Sequence, residues 1–169
     1  SSAASDVYKR QLYICLPVMA LLFLRGQAPD SHGLLLAFWA LGLVWATDIG
    51  AYFAGRSIGG PKLAPRVSPS KTWSGLGGGV LAALLTGFLL YRFADLPIQL
   101  AAASGLLAVA AQLGDLLESA MKRRAGVKDS SNLLPGHGGV MDRLDGVVAA
   151  APLAALLYLG LAGGRCACL

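Results

Sequence analysis

The stretch GLLLAFWALGLVWATDIGAYFA, Gly33 to Ala54, carries one charge, Asp48, near its end. A helix that crosses a membrane needs about 20 consecutive, mostly apolar residues, and this stretch is long enough. Further apolar runs cover Trp73–Tyr91, Pro97–Ala120, about Val140–Ala162 and, more briefly, Leu12–Leu24. The sequence therefore predicts an all-α fold, a polytopic integral membrane helical bundle with about five transmembrane helices and two basic cytoplasmic loops.

The composition agrees with a membrane protein. Of 169 residues, 56% are hydrophobic and 14% are charged, whereas a soluble domain is typically about 25% charged. The mean hydropathy is +0.62. The net charge of +5 is concentrated in loops and resembles no soluble nucleic-acid-binding module, so we expect lipid or nucleotide phosphate as a partner and no nucleic acid.

The loops predict the orientation of the bundle. Arg56–Lys71 is rich in basic residues and has no acidic ones, and the loop that begins at Lys122 is also basic. The connections Arg25–His32 and Arg92–Leu96 each balance one basic against one acidic residue. The positive-inside rule therefore places both basic loops in the cytoplasm and the C-terminus outside.

Acidic residues lie where three of the predicted helices reach the cytoplasmic side. An acid at the centre of a membrane helix costs roughly 2.5–3.5 kcal/mol, so several such acids predict one wet, acidic cavity that binds cations. Asp142 and Asp145, three residues apart, can share a helical face, and oxygen ligands of this kind suit Mg²⁺. The alternative is salt bridging to neighbouring basic residues. The acids concerned are Asp48, Asp115, Glu118, Asp142 and Asp145.

The segment Ser119–Gly146 is polar and rich in helix breakers. Its cations Lys122, Arg123 and Lys128 could bind phosphate through charge-assisted hydrogen bonds. Its glycines precede a predicted helix N-terminus, where backbone amides and the helix dipole favour anions. The alternative is a solvated basic loop that only obeys the positive-inside rule.

This segment resembles the signature of the phosphatidate cytidylyltransferase (CDP-diacylglycerol synthase) family. A second resemblance covers Thr47–Gly75, and Asp115 matches the family's Gly-Asp-Leu-x-Glu-Ser stretch. Together they extend over roughly Leu12–Ala162, the family's C-terminal catalytic part. The matching residues of the signature are Ser119, Lys122, Arg123, Lys128, Asp129, His137, Gly138, Gly139, Asp142, Arg143 and Asp145.

The resemblance implies that CTP and phosphatidate react to give CDP-diacylglycerol and pyrophosphate, with Mg²⁺ as the cofactor and room for a second cation. It implies a bacterial inner-membrane location with the active site facing the cytoplasm, contact with membrane lipid, and a homodimer as the expected assembly. The expected catalytic residues are Asp115, Asp142, Asp145, Lys122 and Arg123. The expected metal ligands are Asp115, Asp142, Asp145 and Glu118. The expected substrate-binding residues are Arg56, Ser70, Lys71, Ser119, Lys128, Asp129, His137 and Arg143.

The expected domain organisation has three parts. Residues 1–11 are expected to be a non-native or disordered tail, residues 12–162 the membrane-embedded catalytic domain without the family's N-terminal spans, and residues 163–169 a short tail. Cys15, Cys166 and Cys168 form no zinc or redox motif.

Two other functions share part of this pattern. A CDP-alcohol phosphotransferase is also membrane-bound, but its Asp-Gly-x-x-Ala-Arg hallmark does not occur in the sequence. A cation-coupled transporter would use intramembrane acids to bind its coupling ion, yet the predicted acids lie at one membrane face instead of at mid-depth.

Overall fold

The computed structural model describes residues 2–65, 67–124 and 144–166. This part of the chain contains five helices and one short β-hairpin between the second and third helices, which confirms the predicted all-α membrane architecture. The hairpin lies within the predicted loop Arg56–Lys71. The elements are α1 Ser2–Arg25, α2 Asp30–Ser57, β1 Lys62–Ala64, β2 Ser68–Thr72, α3 Trp73–Ala94, α4 Ile98–Arg124 and α5 Asp145–Cys166.

Three of the described helices, α2, α3 and α4, are long and apolar enough to cross a membrane. The apolar parts of the other two are shorter and cover Gln11–Arg25 and Asp145–Leu161. Large apolar side chains on the long helices remain outside the core, among them Phe38, Trp45 and Leu81, each more than 60% exposed. Such a surface is what a lipid environment requires of a helical bundle.

Two helix boundaries differ from the sequence prediction. The backbone is helical from Ser2, although residues 1–11 were expected to stand apart from the fold. Those eleven residues contain no Gly or Pro, the residue types that most oppose a helix, so α1 continues through them. At the other end of the chain, α5 begins at Asp145 instead of about Val140, after a turn at Leu144; residues 125–143 lie outside the described part.

The core is formed mainly where α2, α4 and α5 meet. Leu36 and Leu43 of α2, Leu107 of α4 and Ala154 of α5 are fully buried there. Trp39 Nε1 of α2 donates a hydrogen bond of 3.0 Å to Ser104 Oγ of α4. A buried polar pair that is satisfied in this way fixes how two apolar helices are rotated against each other.

Glycines let α2 and α3 approach closely. The spacing Gly75-xxx-Gly79 in the sequence predicts a face for packing between membrane helices. Gly75 and Gly79 are buried, and a Cβ at Gly79 would lie 2.9 Å from the carbonyl oxygen of Thr47 on α2. Small residues allow such backbone contact between membrane helices. This contact brings the end of α2 against the start of α3 and so determines where the hairpin between them lies.

The direction of the helices places several functional candidates at one end of the bundle. Consecutive helices α2 to α5 alternate in direction, so α2 and α4 end on the side where α3 and α5 begin. The hairpin β1–β2 lies on that side because it joins α2 to α3. The acids near these helix ends can therefore meet.

Candidate active site

A cavity of about 350 Å³ opens at this end of the bundle, between α2, α3, α4 and strand β2. Its wall combines carboxylates, cations, hydroxyl groups and one amide with small residues that leave room for a ligand. The lining residues are Asp48, Ala51, Tyr52, Gly55, Arg56, Ser70, Lys71, Thr72, Gly75, Leu76, Gln112 and Asp115.

Helix α2 contributes one face to the cavity. Asp48, Tyr52 and Arg56 follow each other at intervals of four residues, so they lie on the same side of the helix. Arg56 Nη1 donates a hydrogen bond of 3.4 Å to Tyr52 Oη. The guanidinium group is thereby held at the rim of the cavity, while Asp48 lies about two helical turns away along α2.

Strand β2 contributes Ser70 and Lys71, and its junction with α3 is tightly held. Thr72 is the N-cap of α3: its Oγ1 accepts a hydrogen bond of 3.1 Å from the backbone N–H of Gly75. Ser74 Oγ donates to the carbonyl oxygen of Gly59, which ties the start of α3 to the connection between α2 and β1. Lys71 therefore extends from a backbone that is fixed on both sides.

The charged centre of the site is the ion pair between Lys71 Nζ and Asp115 Oδ2. Asp48 interacts electrostatically with both of these residues. The carboxyl group of Asp145 lies within hydrogen-bonding reach of Asp115. Three helices thus bring three of the predicted acids together: Asp48 and Asp115 lie beside Lys71, and Asp145 lies beside Asp115.

Two further contacts orient the carboxylates. Ser119 Oγ donates a hydrogen bond of 3.4 Å to Asp115 Oδ1, one helical turn away. The backbone N–H of Gly146 donates a bond of 2.7 Å to Asp145 Oδ1 at the start of α5. The N-terminus of α5 also favours negative charge at this position.

Glu118 is not part of the cavity wall. It is only 5% exposed, and its Oε1 is 2.8 Å from Lys122 Nζ. Its Oε2 accepts a hydrogen bond of 3.2 Å from Tyr13 Oη. Both oxygens of this predicted metal ligand therefore have protein partners.

The donor set fits a hard divalent cation. Among the described residues, no group of three or more His, Cys, Asp or Glu side chains is arranged to hold a metal ion. Mg²⁺, however, usually takes only one or two carboxylates and completes its shell with phosphate oxygens and water. Asp115 and Asp145 supply such a pair, and the ammonium group of Lys71 already marks a position beside Asp115 where positive charge is favourable.

The structure brings together some of the predicted site residues and leaves others apart. Arg56, Ser70, Lys71 and Asp115 line the cavity, Asp145 and Ser119 contact Asp115, and Arg123 is exposed at the end of α4. Glu118 and Lys122 pair with each other and do not line the cavity. Five predicted site residues lie outside the described part of the chain: Lys128, Asp129, His137, Asp142 and Arg143.

Two polar residues at or next to the site were not predicted from the sequence. Gln112 is buried, lines the cavity and lies three residues before Asp115, so its position on the same face of α4 could have indicated it. Tyr13 contacts Glu118 across 105 residues of sequence, and no local pattern indicates that contact.

Comparison with known proteins identifies what this chain is similar to. A family model described as "Cytidylyltransferase family" matches residues 2–161. The phosphatidate cytidylyltransferase of Brucella suis is 50% identical over 149 residues, which cover 87% of this chain and 53% of the relative. The protein of the same name from Bacillus subtilis is 46% identical over 143 residues, covering 83% and 52%. That of Pseudomonas aeruginosa is 50% identical over 153 residues, covering 87% and 55%. The chain spans about half the length of these relatives.

Proposed function

Because the chain belongs to the cytidylyltransferase family, we propose that it carries the catalytic part of a phosphatidate cytidylyltransferase. The reaction transfers a cytidylyl group from CTP to phosphatidate and gives CDP-diacylglycerol and pyrophosphate. The observation that carries the proposal is the cavity in which Lys71 pairs with Asp115 near Asp48, with the Asp145 carboxyl group next to Asp115. Such a site can bind phosphates and a divalent cation together.

The chemistry needs no nucleophile from the protein. An oxygen of the lipid phosphate attacks the α-phosphorus of CTP, a new P–O bond forms, and the bond between the α-phosphorus and the bridging oxygen breaks. Pyrophosphate leaves with that oxygen. Catalysis of such a transfer consists mainly of positioning the groups and stabilising the charge on their oxygens.

The cations of the cavity bind and orient the phosphates. Lys71 can exchange its contact with Asp115 for a contact with a phosphate oxygen, since an ammonium group has three N–H donors. Arg56 lies at the rim, where its planar guanidinium group can bind a phosphate through two hydrogen bonds. Ser70, on the same strand as Lys71, adds a neutral hydroxyl donor.

The carboxylates of the site would hold Mg²⁺. Asp115 and Asp145 are the described ligands, with Asp142 as a third predicted ligand beyond the described residues. When bound, the ion would neutralise charge on the transferring and leaving phosphates. Ser119 keeps the Asp115 carboxylate oriented toward the cavity through its hydrogen bond to Oδ1.

The remaining predicted residues belong to the same proposal. Lys122 and Arg123 lie at the end of α4, next to the acids, where they would contact the triphosphate or the lipid phosphate. The predicted substrate-binding residues Lys128, Asp129, His137 and Arg143 follow in the signature segment. Their roles are those that the family resemblance implies.

We further propose that the cavity faces the cytoplasm of a bacterial inner membrane and that the assembly is a homodimer. The basic residues at the cavity end of the bundle support the orientation, because basic segments resist translocation. Phosphatidate would reach the site from the bilayer, and CTP from the cytoplasm.

The proposed function is tested by pyrophosphate release from the purified protein in lipid nanodiscs. We expect release to require CTP, phosphatidate and Mg²⁺ together. Asp115→Asn should lower the rate at least about 100-fold, because removal of one preorganised charge from such a site costs about 2.7–4 kcal/mol. Asp95→Asn is the matched control, since Asp95 lies at the opposite end of the bundle with a φ of 57° that Asn tolerates.

Release that proceeds without phosphatidate would contradict the proposed reaction. Equal rates for Asp115→Asn and Asp95→Asn would remove Asp115 from the site.

A further inference from the structure

Helix α4 carries a second acid–lysine pair, one turn beyond Asp115. Glu118 Oε1 and Lys122 Nζ are 2.8 Å apart, and the two side chains are only 7% and 16% exposed. Neither residue lines the cavity; the pair continues from Asp115 toward the end of α4. A buried charge of this kind is retained at considerable cost unless it is well paired and hydrogen-bonded.

Tyr13 of α1 completes this pair from another helix. Its hydroxyl group donates to Glu118 Oε2 at 3.2 Å, so the carboxylate is held at both oxygens. Tyr13 also interacts electrostatically with Lys122 and with Asp145, the first residue of α5. The phenol therefore lies where α1, α4 and α5 meet beside the acidic centre.

We propose that Tyr13 and Glu118 are positioning residues, which hold the ammonium group of Lys122 so that it can contact a substrate phosphate. The inference rests on the proposed function but adds two residues that the reaction itself does not assign. A lysine side chain that must be immobilised on binding loses conformational entropy, which weakens the binding. Glu118 removes part of that loss in advance, and Tyr13 keeps Glu118 in the one geometry that does so.

The pairing with Glu118 still allows Lys122 to contact a phosphate group. An ammonium group has three N–H donors, so Lys122 can contact a phosphate oxygen while it keeps its contact with Glu118. The ligand chemistry is a phosphate group, which either the triphosphate of CTP or the headgroup of phosphatidate supplies. Separate KM measurements for CTP and for phosphatidate distinguish these two sources.

The test is a double-mutant cycle between Tyr13→Phe and Lys122→Ala, with KM measured separately for CTP and for phosphatidate. Tyr13→Phe removes only the hydroxyl group, which makes it milder than removing Glu118 from its buried pair. We expect it to raise the KM for one substrate about threefold to tenfold, the effect of losing one ordinary hydrogen bond, because Tyr13 acts on the substrate only indirectly. The substrate affected identifies the phosphate that Lys122 contacts.

The comparison that separates the two roles is Tyr13→Phe in the Lys122→Ala background. If Tyr13 acts through Lys122, Tyr13→Phe should leave KM unchanged in the Lys122→Ala background. A role in stability alone would lower the melting temperature but would not make the KM effect depend on Lys122. Tyr158→Phe is the matched control, because Tyr158 also packs against α1, at Phe23, away from the acids.

The same KM ratio in both backgrounds, or no KM change for either substrate, would overturn the positioning role. If the wild-type protein turned over no CTP, the proposed function would fail on its own. Calorimetric binding of pyrophosphate to the wild type, the two single variants and the double variant would then test the positioning role. Weaker binding after Tyr13→Phe when Lys122 is present, but not when it is replaced by Ala, supports the role. Unchanged binding, or the same loss in both backgrounds, overturns it.

Discussion

Lys71 shows how one side chain can link the hairpin to the helical bundle. It belongs to β2, but its ammonium group pairs with Asp115 on α4, and both side chains are partly accessible, at 20% and 28%. Because a solvent-accessible pair gains little stability, the pairing contributes more to the arrangement of charges than to folding. Lys71 is therefore available for a ligand.

Replacing Lys71 by Ala should lower kcat/KM for CTP about 10- to 100-fold, the range expected when a hydrogen bond to a charged group is lost. The melting temperature should change little. Lys62→Ala is the control, since Lys62 lies on the partner strand of the same hairpin and is exposed. Steady-state kinetics of the two variants test this expectation. Equal kcat/KM values for CTP would show that Lys71 does not bind the substrate and contributes only to the orientation of the protein in the membrane.

The sequence predicted most of the charged centre for a simple reason. Asp48, Asp115 and Asp145 each lie near the same membrane face once the spans are counted, and that count does not depend on side-chain detail. Tyr13 could not be predicted, because its contact with Glu118 depends on how α1 is rotated against α4. Rotation of that kind is determined by packing over the whole bundle.

At the scale of the elements, the contact between α2 and α3 determines the shape of the cavity. The glycine pattern predicted this packing face, whereas the hairpin was not predicted. Its strands are three and five residues long, contain Pro69 and lack apolar alternation, so the usual strand signals are absent. Bonds such as Trp73 N–H to the Pro61 carbonyl, 3.2 Å, hold it in place.

We expect Gly79→Ala to destabilise the bundle by about 1–3 kcal/mol, the usual cost of overpacking. The added methyl group would meet the Gln112 side chain of α4 and would lie 2.9 Å from the backbone carbonyl oxygen of Thr47 on α2. The side chain can move aside, but the backbone atom cannot. Gly77→Ala is the control, because a Cβ at Gly77 meets no atom within 4 Å. Thermal unfolding in detergent measures both, and equal melting temperatures would contradict the close α2–α3 contact.

At the scale of the whole molecule, one site requires that the hairpin and the end of α4 lie on the same membrane face. Single cysteines can test this in intact cells after the native cysteines are replaced. We expect Ser68→Cys in the hairpin to be protected from an impermeant thiol reagent, and Asp95→Cys at the opposite end to be labelled. Labelling of Ser68→Cys alone would place the cavity outside the cytoplasm and would contradict its access to CTP.

The central claim is that the cavity joins the α-phosphate of CTP to a lipid phosphate. The most direct measurement follows two preparations of CTP, one labelled in the α-phosphate and one in the γ-phosphate, through a single reaction with phosphatidate. We predict that the α-label appears in the lipid and the γ-label in pyrophosphate, in equal amounts. Transfer of the γ-label to the lipid, or label in neither product, would contradict the account.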